Sequence, residues 1–156
     1  YTGIMNTGEA SGVPIIKKLL AFDKPEAEQQ SFIDCPPGTA CIVMESIMEA
    51  DYCLLVAEPT LFGVHNLNMV YELVKLVNKP CGVVLNKCLD GENPAEKFCL
   101  EKGIKVVGRI PFDHELGRLS SNAEIAVRKS EKYRAVFSAL LETVEKEVPH
   151  ETTSHS

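Results

Sequence analysis

The sequence predicts an α/β domain built on a mainly parallel sheet with helices on both faces. Five short apolar runs punctuate the chain, and helical patterns lie between them. The connections are short, so strand and helix alternate as in βαβ units. The middle runs are continuous rather than alternating, as expected of strands covered on both faces.

In order, the expected strands are Tyr1–Met5, Ser31–Cys35 (SFIDC), Tyr52–Ala57 (YCLLVA), Gly82–Asn86 (GVVLN) and Lys105–Ile110 (KVVGRI). The first helix is Val13–Ala21, with Pro14 where a first turn tolerates it. Val64–Val77 places Leu67, Val70, Tyr71, Val74 and Val77 on one stripe, which Leu73 widens. Asn93 is an N-cap and Pro94 a first-turn residue for a helix to Lys102. From about Ser130 to Val148 the chain predicts one terminal helix, with Tyr133, Val136, Phe137, Leu140, Leu141 and Val144 as its apolar face. Pro149 stops it. Residues 1–148 are therefore expected to form one domain, and the polar residues 149–156 a disordered tail.

The bulk numbers agree with one domain. The chain has 156 residues, 45% hydrophobic and 24% charged. A chain of that length buries on the order of 70% of its unfolded surface. The formal net charge of −6 argues against a non-specific grip on nucleic acid or an anionic membrane, since both need a basic face. No apolar run reaches the roughly 18 residues of a membrane span, and no signal peptide opens the chain. The opening on Tyr1 rather than Met is expected of a fragment or a processed chain. Six cysteines, at 35, 41, 53, 81, 88 and 99, form no C-x-x-C pair. Cys53 and Cys81 sit in strand-like runs, so most are expected to be reduced, buried small hydrophobes in a cytoplasmic protein.

Four motifs carry candidate chemistry. In SFIDCPPGTAC, an apolar run ends on Asp34. Ligands of open α/β sheets sit at the carboxyl ends of strands, where a carboxylate can hold Mg²⁺ through water. Gly38 lets the backbone approach a phosphate, and Pro36 and Pro37 stiffen the turn. A strand-ending Asp with a rigid turn fits the same residues. In GVVLNK, Asn86 offers a donor and an acceptor to a purine edge, and Lys87 follows it. Asp90 is shifted by one from the guanine-reading position, which favours adenine; a plain strand-to-loop turn is the alternative. In GRIPFD, Pro111, Phe112 and Asp113 form a loop able to meet a base, or else a helix entry capped by Asp113. In NTGEASG, Gly8, Ser11 and Gly12 can face an anion at a helix N-terminus, or serve only as a cap. No G-x-x-x-x-G-K-[ST] phosphate loop occurs anywhere.

In chain order, GEASG, FIDCPPGTAC, ADYCLLVAEPT, GVVLNK and GRIPFD resemble the C-terminal part of MinD/ParA/Mrp-type P-loop ATPases. The similarity is nearest to the branch with an inserted ferredoxin domain, whose members carry CobQ/CobB/MinD/ParA nucleotide-binding labels. It spans about Gly8 to Ile125. The resemblance implies a three-layer α/β/α fold of the SIMIBI type, lacking the P-loop strand. It implies ATP or ADP with Mg²⁺ as ligands, and iron–sulfur clusters in a longer parent. Asp34 resembles the Walker B and switch II aspartate, a catalytic group touching Mg²⁺ through water. Pro37 and Gly38 resemble the turn that senses the γ-phosphate. Gly8, Ser11 and Gly12 resemble switch I. Asn86, Lys87 and Pro111–Asp113 resemble the adenine pocket. Glu58-Pro59-Thr60 resembles a loop near nucleotide and dimer interface. Cys41 stands where a related iron protein has a cluster ligand, although a packing role also fits.

The resemblance implies part of an ATPase switch that dimerises or needs a P-loop half, with a redox or iron–sulfur partner, and that cannot hydrolyse ATP alone. Two rivals remain: a non-catalytic module pairing with a P-loop partner, and a cobyrinic acid a,c-diamide synthase-like protein. If the P-loop strand is absent, an exposed strand edge is expected, and with it self-association.

Overall fold

The computed structural model describes residues 13–22, 30–39 and 41–149. The strand expected over Tyr1–Met5, the Gly8–Gly12 loop and the tail from His150 lie outside them. The described chain runs α1 (Val13–Phe22), α2 (Cys41–Glu49), β1 (Cys53–Ala57), α3 (Leu61–Leu76), β2 (Cys81–Cys88), α4 (Pro94–Lys102), β3 (Val106–Pro111), α5 (His114–Ser121), α6 (Ala126–Lys129) and α7 (Glu131–Glu145). The fold is α/β, with a three-stranded parallel sheet in the order β1-β2-β3.

Local chemistry sets the element ends. Thr60 caps α3 by accepting the Gly63 N–H at 2.9 Å. Asn93 caps α4 by accepting the Ala95 and Glu96 N–H groups at 3.0 and 3.2 Å, with Pro94 in the first turn. Gly103, at φ 67°, closes that helix in the left-handed region that a side chain disfavours. The helix α3 starts three residues before the predicted stripe, because Thr60 supplies the cap. Two helices go beyond the sequence expectation, α2 and α6. The first is short and follows the proline turn, where its period is hard to separate from a strand.

One face of the sheet carries the main core. Cys53, Leu55 and Ala57 of β1, and Val83 and Leu85 of β2, pack with Val43 and Ile47 of α2, Leu67, Leu73 and Val74 of α3, and Ala95 and Cys99 of α4. The predicted α3 stripe is therefore the packed one: Val70, Tyr71 and Val77 border the same cluster. On the opposite face, α7 lies against β3. The approach is close, since a Cβ on Gly108 would stand 2.6 Å from Leu140 Cδ1. Tyr133 is the residue of α7 that is fully buried.

Two expectations need correction. Ser31–Cys35 is not a strand. Among the described residues the sheet ladder joins only β1, β2 and β3, and Phe32 of this segment is 75% exposed. Nor is β1 covered on both faces. Its residues alternate buried and exposed, and Leu54 and Val56 are 40% and 63% exposed. The helix on that side reaches β3 and leaves β1 bare.

Candidate functional site at the carboxyl end of the sheet

Three consecutive strands deliver their C-terminal residues to one end of the sheet. β1 is followed by Glu58, Pro59 and Thr60. β2 ends on Asn86, Lys87 and Cys88. β3 leads into Phe112 and Asp113. Parallel pairing brings them together: Ala57 is in register with Leu85, and Cys88 with Pro111. The Phe112 N–H donates to the Cys88 carbonyl at 2.8 Å, fastening the second loop to the third. This end of a parallel sheet is where open α/β folds bind ligands.

The side chains are organised around charge pairs. Lys87 Nζ lies 2.5 Å from Glu58 Oε1, an ion pair between neighbouring strand ends. The backbone of Lys87 has φ 56°, a left-handed conformation uncommon outside glycine and asparagine. That conformation lets the Lys87 N–H donate to the Asn86 side-chain oxygen at 3.0 Å. So Asn86 binds its own turn with its side-chain acceptor. The tight approach of the Glu58 carbonyl to α3 needs Gly63, where a Cβ would fall 2.3 Å from that oxygen.

Phe112 is 47% exposed. Its ring meets His114 edge to face, with centroids 4.9 Å apart. A Phe ring held this way offers a stacking surface to a planar ligand. Asp113 is committed elsewhere. Its carboxylate caps α5 by accepting the Glu115 and Leu116 N–H groups at 2.8 and 3.3 Å, and takes Lys132 Nζ at 2.6 Å. The Lys132 ammonium is the main reason its carboxyl is held down to about 2, with those backbone donors adding to the effect. Tyr133, buried beneath, donates to Glu115 at 3.3 Å.

The remaining predicted residues do not join this cluster among the described contacts. Asp34, Pro37 and Gly38 are exposed, and Gly38 turns the chain at φ 99°. Gln30, which precedes the segment, donates to Glu145 near the end of α7 at 2.9 Å. Cys41 is an exposed free thiol at the start of α2. Gly8, Ser11 and Gly12 lie outside the described residues. The Glu58–Lys87 and Asp113–Lys132 pairs went unread in the sequence. The first had a usable signal, since opposite charges follow directly after two adjacent parallel strands. The second joins residues 19 apart and had none.

No protein-family profile matches the chain. Three proteins of Methanocaldococcus jannaschii are similar to it. An uncharacterized protein is 31% identical over 85 residues, covering 54% of this chain and 32% of the relative. A second uncharacterized protein is 25% identical over 140 residues, covering 90% of this chain and 48% of the relative. An iron–sulfur cluster carrier protein is 28% identical over 133 residues, covering 72% of this chain and 46% of the relative. The chain thus spans between a third and a half of the length of these relatives, and its similarity to an iron–sulfur cluster carrier protein is distant.

Proposed function

We propose that this chain is the C-terminal part of a MinD-like, iron–sulfur-associated ATPase, contributing base-binding and switch elements. The observation that carries the reading is the convergence of Glu58, Asn86-Lys87 and Phe112 at the carboxyl end of three parallel strands. The distant similarity to an iron–sulfur cluster carrier protein supports the iron–sulfur theme. In this reading the Asn86 amide reads adenine, the Phe112 ring stacks on it, and Lys87 exchanges Glu58 for a phosphate. Asp113 holds the loop through its cap rather than touching nucleotide. Asp34 contacts Mg²⁺ through water, and Pro37 and Gly38 sense the γ-phosphate once a P-loop is supplied. Without a P-loop lysine and its backbone cradle the chain does not hydrolyse ATP.

The test is photolabelling of the purified chain with 8-azido-ATP and Mg²⁺, followed by peptide mapping. Labelling within residues 86–90 or 111–115, competed by ATP and not by GTP, is expected. Labelling elsewhere, or equal competition by GTP, refutes the assignment.

A second reading is favoured by one observation. The place of β1 at an edge of the sheet among the described residues, and its uncovered Leu54 and Val56, suit a module that pairs with a P-loop-bearing partner or a second copy.

A further inference from the structure

The amino end of the sheet, opposite the candidate nucleotide site, carries a pair of cysteines. Cys53 opens β1 and Cys81 opens β2, and the two are in register on hydrogen-bonded parallel strands. The Cys53 N–H donates to the Pro80 carbonyl at 2.9 Å, which locks that register at its first rung. In-register neighbours project to the same face of a sheet, and both thiols border the main core. Cys53 is 7% exposed, Cys81 is half-buried, and both are free.

The geometry disfavours a disulfide. Cα–Cβ vectors of in-register parallel neighbours run side by side, so their Cβ atoms stay near the strand spacing of about 4.8 Å. A disulfide needs about 3.8 Å between Cβ atoms. A linear thiolate–metal–thiolate bridge has the opposite requirement. Two metal–sulfur bonds placed end to end hold the sulfurs well beyond disulfide distance, so the bridge does not require the strands to approach more closely than the ladder spacing of about 4.8 Å. Among the described residues no group of three His, Cys, Asp or Glu can hold a metal ion. The described residues therefore offer the pair only two-coordinate chemistry, which soft monovalent copper accepts from thiolates.

We infer that Cys53 and Cys81 form a two-coordinate site for a soft d¹⁰ cation of the Cu(I) class. Binding displaces two thiol protons to solvent and forms two copper–sulfur bonds, with no change of oxidation state. The bridged pair carries one net negative charge. The site stands independently of the nucleotide reading, since it lies at the other end of the strands and uses none of the same residues.

The experiment loads the reduced, oxygen-free chain with Cu(I) against a bidentate chelator, then counts copper and records X-ray absorption. About one copper per chain with a two-sulfur shell is expected. Cys53→Val and Cys81→Val should each lose the copper, whereas the Cys35→Ser/Cys41→Ser chain, altered only at exposed thiols, should keep it. Retention by either valine variant, loss in the serine variant, or a nitrogen and oxygen shell overturns the assignment. Should the valine variants fail to fold, alkylation of the unaltered chain decides. With alkylation run in enough urea that Cys53 and Cys81 of the copper-free chain react, Cu(I) should protect those two together while Cys35 and Cys41 remain reactive; no added protection by Cu(I) overturns the site.

Discussion

The back of the sheet near the start of β2 makes a sharp stability prediction. Among the described residues the Tyr52 hydroxyl is buried without a hydrogen-bond partner, and burial is the main cause of its pKa being pushed up to about 12. It sits directly over Gly82. A Cβ at that position would stand 2.4 Å from Tyr52 Oη and 2.7 Å from Val107 Cγ1. Gly82→Ala must therefore displace a ring and a branched side chain that are both packed, and overpacking of this kind costs about 1–3 kcal/mol. Tyr52→Phe removes an unsatisfied polar atom, so it should be neutral or stabilising by up to about 1 kcal/mol. In the double variant the nearer of the two clashes is gone while that with Val107 persists, so about half the Gly82→Ala cost should be recovered. Neighbours in contact give coupling of about 0.5–3 kcal/mol in a double-mutant cycle. Urea unfolding followed by circular dichroism measures all four chains. Additivity within about 0.5 kcal/mol, or a Tyr52→Phe chain markedly less stable than the parent, would refute the reasoning.

Three further outcomes are expected. The Asp113 carboxyl lies below its unfolded value, held down to about 2 chiefly by Lys132. Its contribution to stability is therefore complete above about pH 4, the unfolded range, and is lost as the pH falls toward 2. Lys132→Met should move the Asp113 titration upward in carbon-detected NMR, and an unmoved midpoint would remove Lys132 as the cause. Thr60→Ala deletes the cap of α3 at Gly63 and should lower stability by about 1 kcal/mol, while Thr60→Ser should restore most of it in the same thermal melt. The purified chain should release no phosphate from ATP in a coupled assay, and turnover above a buffer control would contradict the reading that it lacks a phosphate cradle.

The sequence by itself determined the α/β class and the parallel sense of the strands, while their order came from the structure. Continuous apolar runs at β1, β2 and β3, the α3 stripe around Leu67 and Val74, and the Asn93-Pro94 entry to α4 are local signals, each fixed by a few adjacent residues. It also identified Asn86, Lys87 and Phe112 as residues at strand ends, because a motif that closes an apolar run sits where the strand stops. What only the tertiary structure decided depends on pairing. SFIDC has a strand's composition, but a strand needs a neighbouring edge, and among the described residues it joins no ladder. Leu54 and Val56 belong to an unbroken apolar run, yet only packing decides which face is covered, and α7 covers β3. The same holds for charge and sulfur. Glu58 and Lys87, Asp113 and Lys132, and Cys53 and Cys81 are distant in the chain and become partners only through register and helix docking, which no local pattern encodes.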